Sequence, residues 1–178
     1  MSSSNLIRLG GLVAMVGSVV FALVSLLRFW LNPTLAEGAT LPMFLLLLVV
    51  VSVAFVAIAA LLRGTRHSGL GIVACGVSLV GVVLVFVGLL MGFVGILVIP
   101  LGVLVATGGL VVLAILTTDT NMLPWWSGVA LIAGGASFIL VLVLPPLVDS
   151  LMGAPWLVVG YAIFRAAGRR TERTSRVR

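Results

Sequence analysis

Residues 41–62 read LPMFLLLLVVVSVAFVAIAALL. Fifteen of these positions are Leu, Ile, Val or Phe, Ser52 is the one hydroxyl, and the run holds neither a charge nor a glycine. About 20 apolar residues rising about 1.5 Å each cover the roughly 30 Å hydrocarbon thickness of a bilayer. At about −0.3 to −0.6 kcal/mol per such residue near the centre, insertion is favourable by several kcal/mol. A helix on the surface of a soluble domain keeps a polar face, and this one has none. It reads as a membrane span that faces lipid, because without glycine it lacks a groove for close backbone packing. Arg63, Arg66 and His67 end it.

The rest of the chain extends this reading. Over 178 residues it is 62% hydrophobic and 8% charged, against about 25% charged in soluble domains. The expected fold class is therefore an all-α integral membrane protein, with no stretch left for a soluble catalytic module. Before residue 41, an uncharged run from Leu9 to Leu27 lies between Arg8 and Arg28 and predicts a span over 9–30. A signal peptide is the competing reading, although this core is long for one and the run matches later helices. Asn32 to Thr40 reads as a loop.

Beyond residue 63, the apolar stretch from Ser68 to Leu116 is about twice what one span needs, so it predicts two helices. A turn at Gly92–Gly95 divides it into spans over 69–91 and 96–116, with Pro100 in the first turns of the fourth helix. Thr117 to Leu123 reads as a polar loop. Trp125 and Trp126 after Pro124 mark an interface and open a fifth span over 125–144, stopped by Pro145 and Pro146. The sixth, over 149–167, is the weakest: Asp149 and Ser150 could cap it, and Leu151 to Phe164 is short for a crossing unless Arg165 snorkels. The sum is a six-transmembrane helical bundle in one domain over 1–168, followed by a basic tail over 169–178.

The formal charge is +6, all ten cations are arginine, and six of them fall between Arg165 and Arg178. With six crossings, Arg8, Arg63, Arg66 and those six share one side and only Arg28 lies on the other. The positive-inside rule then places both termini in the cytoplasm, whereas a sixth helix lying flat would leave the tail outside. Arg169, Arg170, Arg173, Arg176 and Arg178 are expected to meet anionic lipid headgroups. No aromatic-interleaved basic motif points to nucleic acid.

Three runs share a small-residue face: Ala14 and Ser18, Ala74 and Ser78, Ala133 and Ser137, each with glycine nearby (Gly17, Gly76, Gly134 and Gly135). Spacing of i, i+4 puts each pair on one helix face. The recurrence predicts three repeated helical hairpins, with these residues forming a central packing face or, alternatively, lining a path for a small uncharged solute. Gly88 and Gly92 form a GxxxG that could serve a homodimer.

Little here points to catalysis. Asp119 and Asp149 fall in expected loops and read as caps or loop solvation. His67 lacks a nearby second metal ligand, and the lone Cys75 sits in an apolar run where a thiol acts as a small hydrophobe. Proton-coupled transporters and pumps place ionisable groups at membrane depth, and none is expected here. The expectation is a non-enzymatic protein without cofactor or metal, with protein partners or a homo-oligomer left open.

The opening Leu6-Ile7-Arg8-Leu9-Gly10-Gly11-Leu12-Val13-Ala14 and the ending Ser175-Arg176-Val177-Arg178 resemble small multi-pass membrane proteins of high-GC bacteria. The resemblance implies a bacterial plasma-membrane protein and carries no activity with it.

Overall fold

A computed structural model describes residues 3–31, 36–63, 65–91, 95–143 and 152–176. Among them the chain is all-helical without strands: α1 (Ser3–Leu31), α2 (Ala36–Leu62), α3 (Ser68–Leu90), α4 (Gly95–Asp119), α5 (Trp125–Val143) and α6 (Gly153–Arg176). Four of these carry stretches long and apolar enough to cross a membrane: Asn5–Leu27, Leu45–Leu62, Ser68–Leu90 and Leu97–Asp119.

Each helix packs antiparallel against its sequence neighbours, and α6 returns to pack against α1, closing a ring. The α3–α4 and α1–α6 pairs are the most extensive contacts, and α2 also reaches α6 across the interior. There Trp156, fully buried, meets the Phe55 ring edge-on at 5.8 Å. The charge-rich chain segments therefore gather at one end: Arg8 on α1, Arg63 to His67 between α2 and α3, Asp119 at the end of α4, and Arg165 and Arg169 on α6.

Small residues line the closest seams, and large apolar side chains lie on both sides of the helices, Leu110, Leu113, Leu131 and Trp156 being fully buried. On α4, Leu97, Leu101, Leu104, Val112 and Ile115 point outward, while Gly102, Ala106 and Gly109 are buried. Leu97 is 80% exposed and Leu104 69%. In water such a surface would be one continuous apolar patch, far larger than monomeric proteins expose. In lipid there is no hydrophobic force between helices, so small residues at a seam serve close backbone contact and exposed large ones suit acyl chains.

Several boundaries differ from expectation. Ala36 to Thr40, read as loop, belongs to α2, since Ala36 and Glu37 are good helix formers attached to a strongly apolar run. Helix α6 continues through Arg176, so most of the expected basic tail is helical, in keeping with its Arg, Ala and Glu content. Pro100 falls in the first turns of α4, as expected, but as its sixth residue its missing N–H leaves the Ile96 carbonyl without an intrahelical partner from that position. Asn121, with φ of 49°, ends α4 in the left-handed conformation that Asn adopts at helix C-termini. The turn residues 92–94, the diproline 145–146 and the caps Asp149 and Ser150 lie outside the described residues.

Candidate functional site

The three small-residue pairs do not converge. Among the described residues, no two of α1, α3 and α5 share a substantial contact, and each packs against even-numbered helices. On α1, the buried positions Ile7, Gly11, Ala14, Ser18, Phe21 and Ser25 recur at alternating steps of four and three, the spacing of a left-handed helix pair. This stripe meets α6 at Gly153 and Gly160. A methyl built on Gly11 would lie 2.7 Å from the Phe164 amide nitrogen, and one on Gly160 would lie 2.9 Å from the Gly11 carbonyl. The Ser18 hydroxyl donates to the Ala14 carbonyl of its own helix at 2.7 Å.

The second stripe, Ala74, Ser78, Gly81, Val85 and Gly88, faces Ile99, Gly102, Ala106 and Gly109 of α4. A methyl on Gly102 would lie 2.6 Å from the Val85 amide nitrogen, and one on Gly109 would meet the Ser78 hydroxyl and lie 2.8 Å from its amide nitrogen. Ser78 is fully buried, and among the described residues its Oγ has no hydrogen-bond partner. Gly88, the first glycine of the GxxxG, is taken up inside the chain by Ile99 and Gly95.

The third pair is different again. Ala133 is exposed while Ser137 is buried, donating to the Gly134 carbonyl at 2.7 Å. Gly135 packs on Thr107 and Leu110 of α4, and Gly134 on the indole of Trp156. The accompanying glycines also diverge: Gly17 meets Val50 of α2, whereas a methyl on Gly76 would meet nothing.

One titratable cluster escaped the sequence reading. It lies where the α2–α3 link approaches the end of α4. The Arg66 Nε donates to the His67 Nε2 at 2.7 Å, and Asp119 Oδ2 lies 3.3 Å from that same nitrogen and 3.5 Å from Arg66 Nη2. His67 Nε2 accepts from Arg66 only when unprotonated and donates to Asp119 only when protonated, so the two contacts exclude one another. The cluster is solvent-facing, with the Arg66 and Asp119 side chains 79% and 52% exposed. Its neighbouring hydroxyls are engaged elsewhere: Thr65 donates to Leu62, Thr118 to Ala114 and Thr120 to Leu116. Among the described residues no group of three or more His, Cys, Asp or Glu could hold a metal ion. Cys75 is buried on α3 with its Sγ 3.5 Å from the Phe55 carbonyl.

Trp125 is 71% exposed at the same end, and Trp126 stacks on Tyr161 of α6 with ring centroids 6.2 Å apart, as aromatic residues do at a membrane–water interface. Set beside known proteins, the chain matches no family model, no curated protein and no solved structure.

Proposed function

We propose that the chain is a six-span integral membrane protein with both termini in the cytoplasm, acting without catalysis as an accessory subunit or membrane-organising protein. The supporting observation is a broad exposed surface of Leu, Val and Ile around helix seams that Gly, Ala and Ser bring to backbone contact. Lipid-facing leucines and a close-packed interior suit a scaffold that other membrane helices can join. Two hydroxyls of the small-residue pairs bond their own helix and the third abuts Gly109. That gives them a packing role.

What supports six crossings is that α5 and α6 pack antiparallel within the same ring as the four strongly apolar helices. The 19 residues of α5 extend about 28 Å, close to the hydrocarbon thickness. Arg8, Arg63, Arg66, Arg165 and Arg169 then share the cytoplasmic side. Thiol labelling of single cysteines introduced at Ser3 and Ser175 in a Cys75→Ala chain tests the orientation. Labelling from outside intact cells at either position would overturn it. Co-purification from mild detergent tests the scaffold role, which requires a stoichiometric membrane partner.

A second reading is a carrier for a small uncharged solute. Among the described residues the buried Oγ atoms of Ser25 and Ser78 and the Trp156 Nε1 lack partners, and a polar solute could supply them. Liposome flux with Ser18, Ser78 and Ser137 each changed to Leu separates the readings. Solute flux that these changes abolish favours the carrier, and flux they leave unaltered argues against a serine-lined path.

A further inference from the structure

On the outer face of the α1–α6 seam, Asn5, Arg8, Leu9 and Leu12 of α1 and Phe164 of α6 line an open groove of about 450 Å³. The four α1 residues stand at i, i+3, i+4 and i+7, so they form one stripe on the helix. The groove exists because Gly11, next to that stripe, lets α6 approach to backbone contact at Phe164. Polarity is graded along it. Leu12 and Leu9, about 40–50% exposed, lie deeper in the expected span, and Arg8 and Asn5 lie toward its charged end. From Asn5 to Leu12 the helix rises about 10 Å, a depth that carries a ligand from interface into hydrocarbon.

Arg8 is already oriented. Its guanidinium carbon sits 4.9 Å above the Phe164 ring centroid. A guanidinium held over a ring by cation–π attraction still has N–H donors to offer an oxyanion. Among the described residues no carboxylate pairs with Arg8.

We infer that this groove is a binding site for one anionic glycerophospholipid, its phosphate on Arg8 with Asn5 beside it and its acyl chain along Leu9, Leu12 and Phe164. The inference rests on the membrane-spanning reading above. It differs from a diffuse attraction of lipid to the C-terminal arginines, because here one cation and one apolar trough act on the same molecule. A free phosphate could satisfy Arg8 but would have no use for the leucines.

Native mass spectrometry of the full chain in detergent, with equimolar phosphatidylglycerol and phosphatidylcholine, tests this. The singly lipidated protein should favour phosphatidylglycerol. Arg8→Gln should reduce that preference about fivefold, the factor that about 1 kcal/mol per membrane-surface arginine corresponds to. Leu12→Trp, which fills the trough at an exposed position and keeps the charge, should lower occupancy by phosphatidylglycerol. The pair Arg173→Gln and Arg176→Gln should leave the first bound lipid in place, as should excess inorganic phosphate. The site is refuted if the tail variant lowers the preference as much as Arg8→Gln, if Leu12→Trp has no effect, or if inorganic phosphate displaces the lipid. Carbonate extraction of cell membranes separates the two levels. A chain released as soluble protein overturns the membrane reading and the lipid site together, while a chain retained in the pellet with no headgroup preference overturns the site alone.

Discussion

Replacing Gly81 by Ala, with Gly76→Ala as its internal reference, isolates the contribution of the α3–α4 seam. Both glycines are in α3, five positions apart, so each substitution gives the same gain in helix propensity, about 1 kcal/mol. They differ in what the new methyl meets. At Gly76 there is open space, whereas at Gly81 it would lie 2.6 Å from the Ala106 Cα and 2.7 Å from the Gly102 carbonyl. Carbon atoms in contact sit about 3.5–4.0 Å apart, so α4 must retreat by about 1 Å. The atoms in the way are backbone and cannot rotate aside. Overpacking of this kind costs about 1–3 kcal/mol, and because the propensity gain cancels, the two variants should differ in stability by that amount. Gly81→Ala should be the weaker one.

Reversible unfolding in mixed dodecyl sulfate micelles, followed by tryptophan fluorescence, measures the difference. Equal stabilities for the two variants would mean that α3 and α4 do not meet at Gly81, and the seam as described would be wrong.

Other substitutions probe separate parts of the bundle. Ala14→Leu should destabilise by about 1–3 kcal/mol because Ala14 is fully buried against neighbouring helices, while Ala133→Leu at an exposed position should stay within about 0.5 kcal/mol of the parent; the same micelle unfolding assay ranks them. Trp156→Ala should cost about 3–5 kcal/mol through the cavity left between α2, α5 and α6. By contrast, Trp156→Phe removes an unpartnered N–H and should be far milder. Asp119→Asn should shift stability by less than about 1 kcal/mol, since its partners are surface groups; a larger loss would show that the Arg66, His67 and Asp119 cluster fixes the α2–α3 link.

The helices were legible because each is announced by an apolar run bounded by Arg, Pro or Gly, and membrane insertion depends on little else. The division between α3 and α4 was legible too, from the glycines at 92 and 95. What followed from it was missed. In an antiparallel hairpin, residues equidistant from the turn meet, and the observed contacts of Ser78 with Gly109, Gly81 with Ala106, Val85 with Gly102 and Gly88 with Ile99 all have residue numbers that add to 187. Within one residue of that register, His67 meets Asp119. The partners of the Ala74–Ser78 face were thus readable on α4, and so was the titratable cluster. The exposure of Ala133 was not, because a stripe of small residues records which side of a helix can be approached closely and not which helix does so. That choice depends on loop lengths and on the α1–α6 closure, neither of which leaves a local signature.

Closure by α6 also explains why the weakest apolar run belongs to the bundle. Its uncharged stretch is short and it is not among the helices apolar enough to span unaided. Yet Met152, Trp156, Val159 and Ile163 are at most 1% exposed, and Gly153 and Gly160 allow backbone contact with α1. What α6 offers instead of hydropathy is therefore van der Waals packing against the other helices. The glycines of α6 and the facing Gly11 act at one seam, and that seam also shapes the groove between Arg8 and Phe164. A single close approach of two backbones accounts for both the closing of the ring and the feature on its outer face that has the chemistry to hold a lipid.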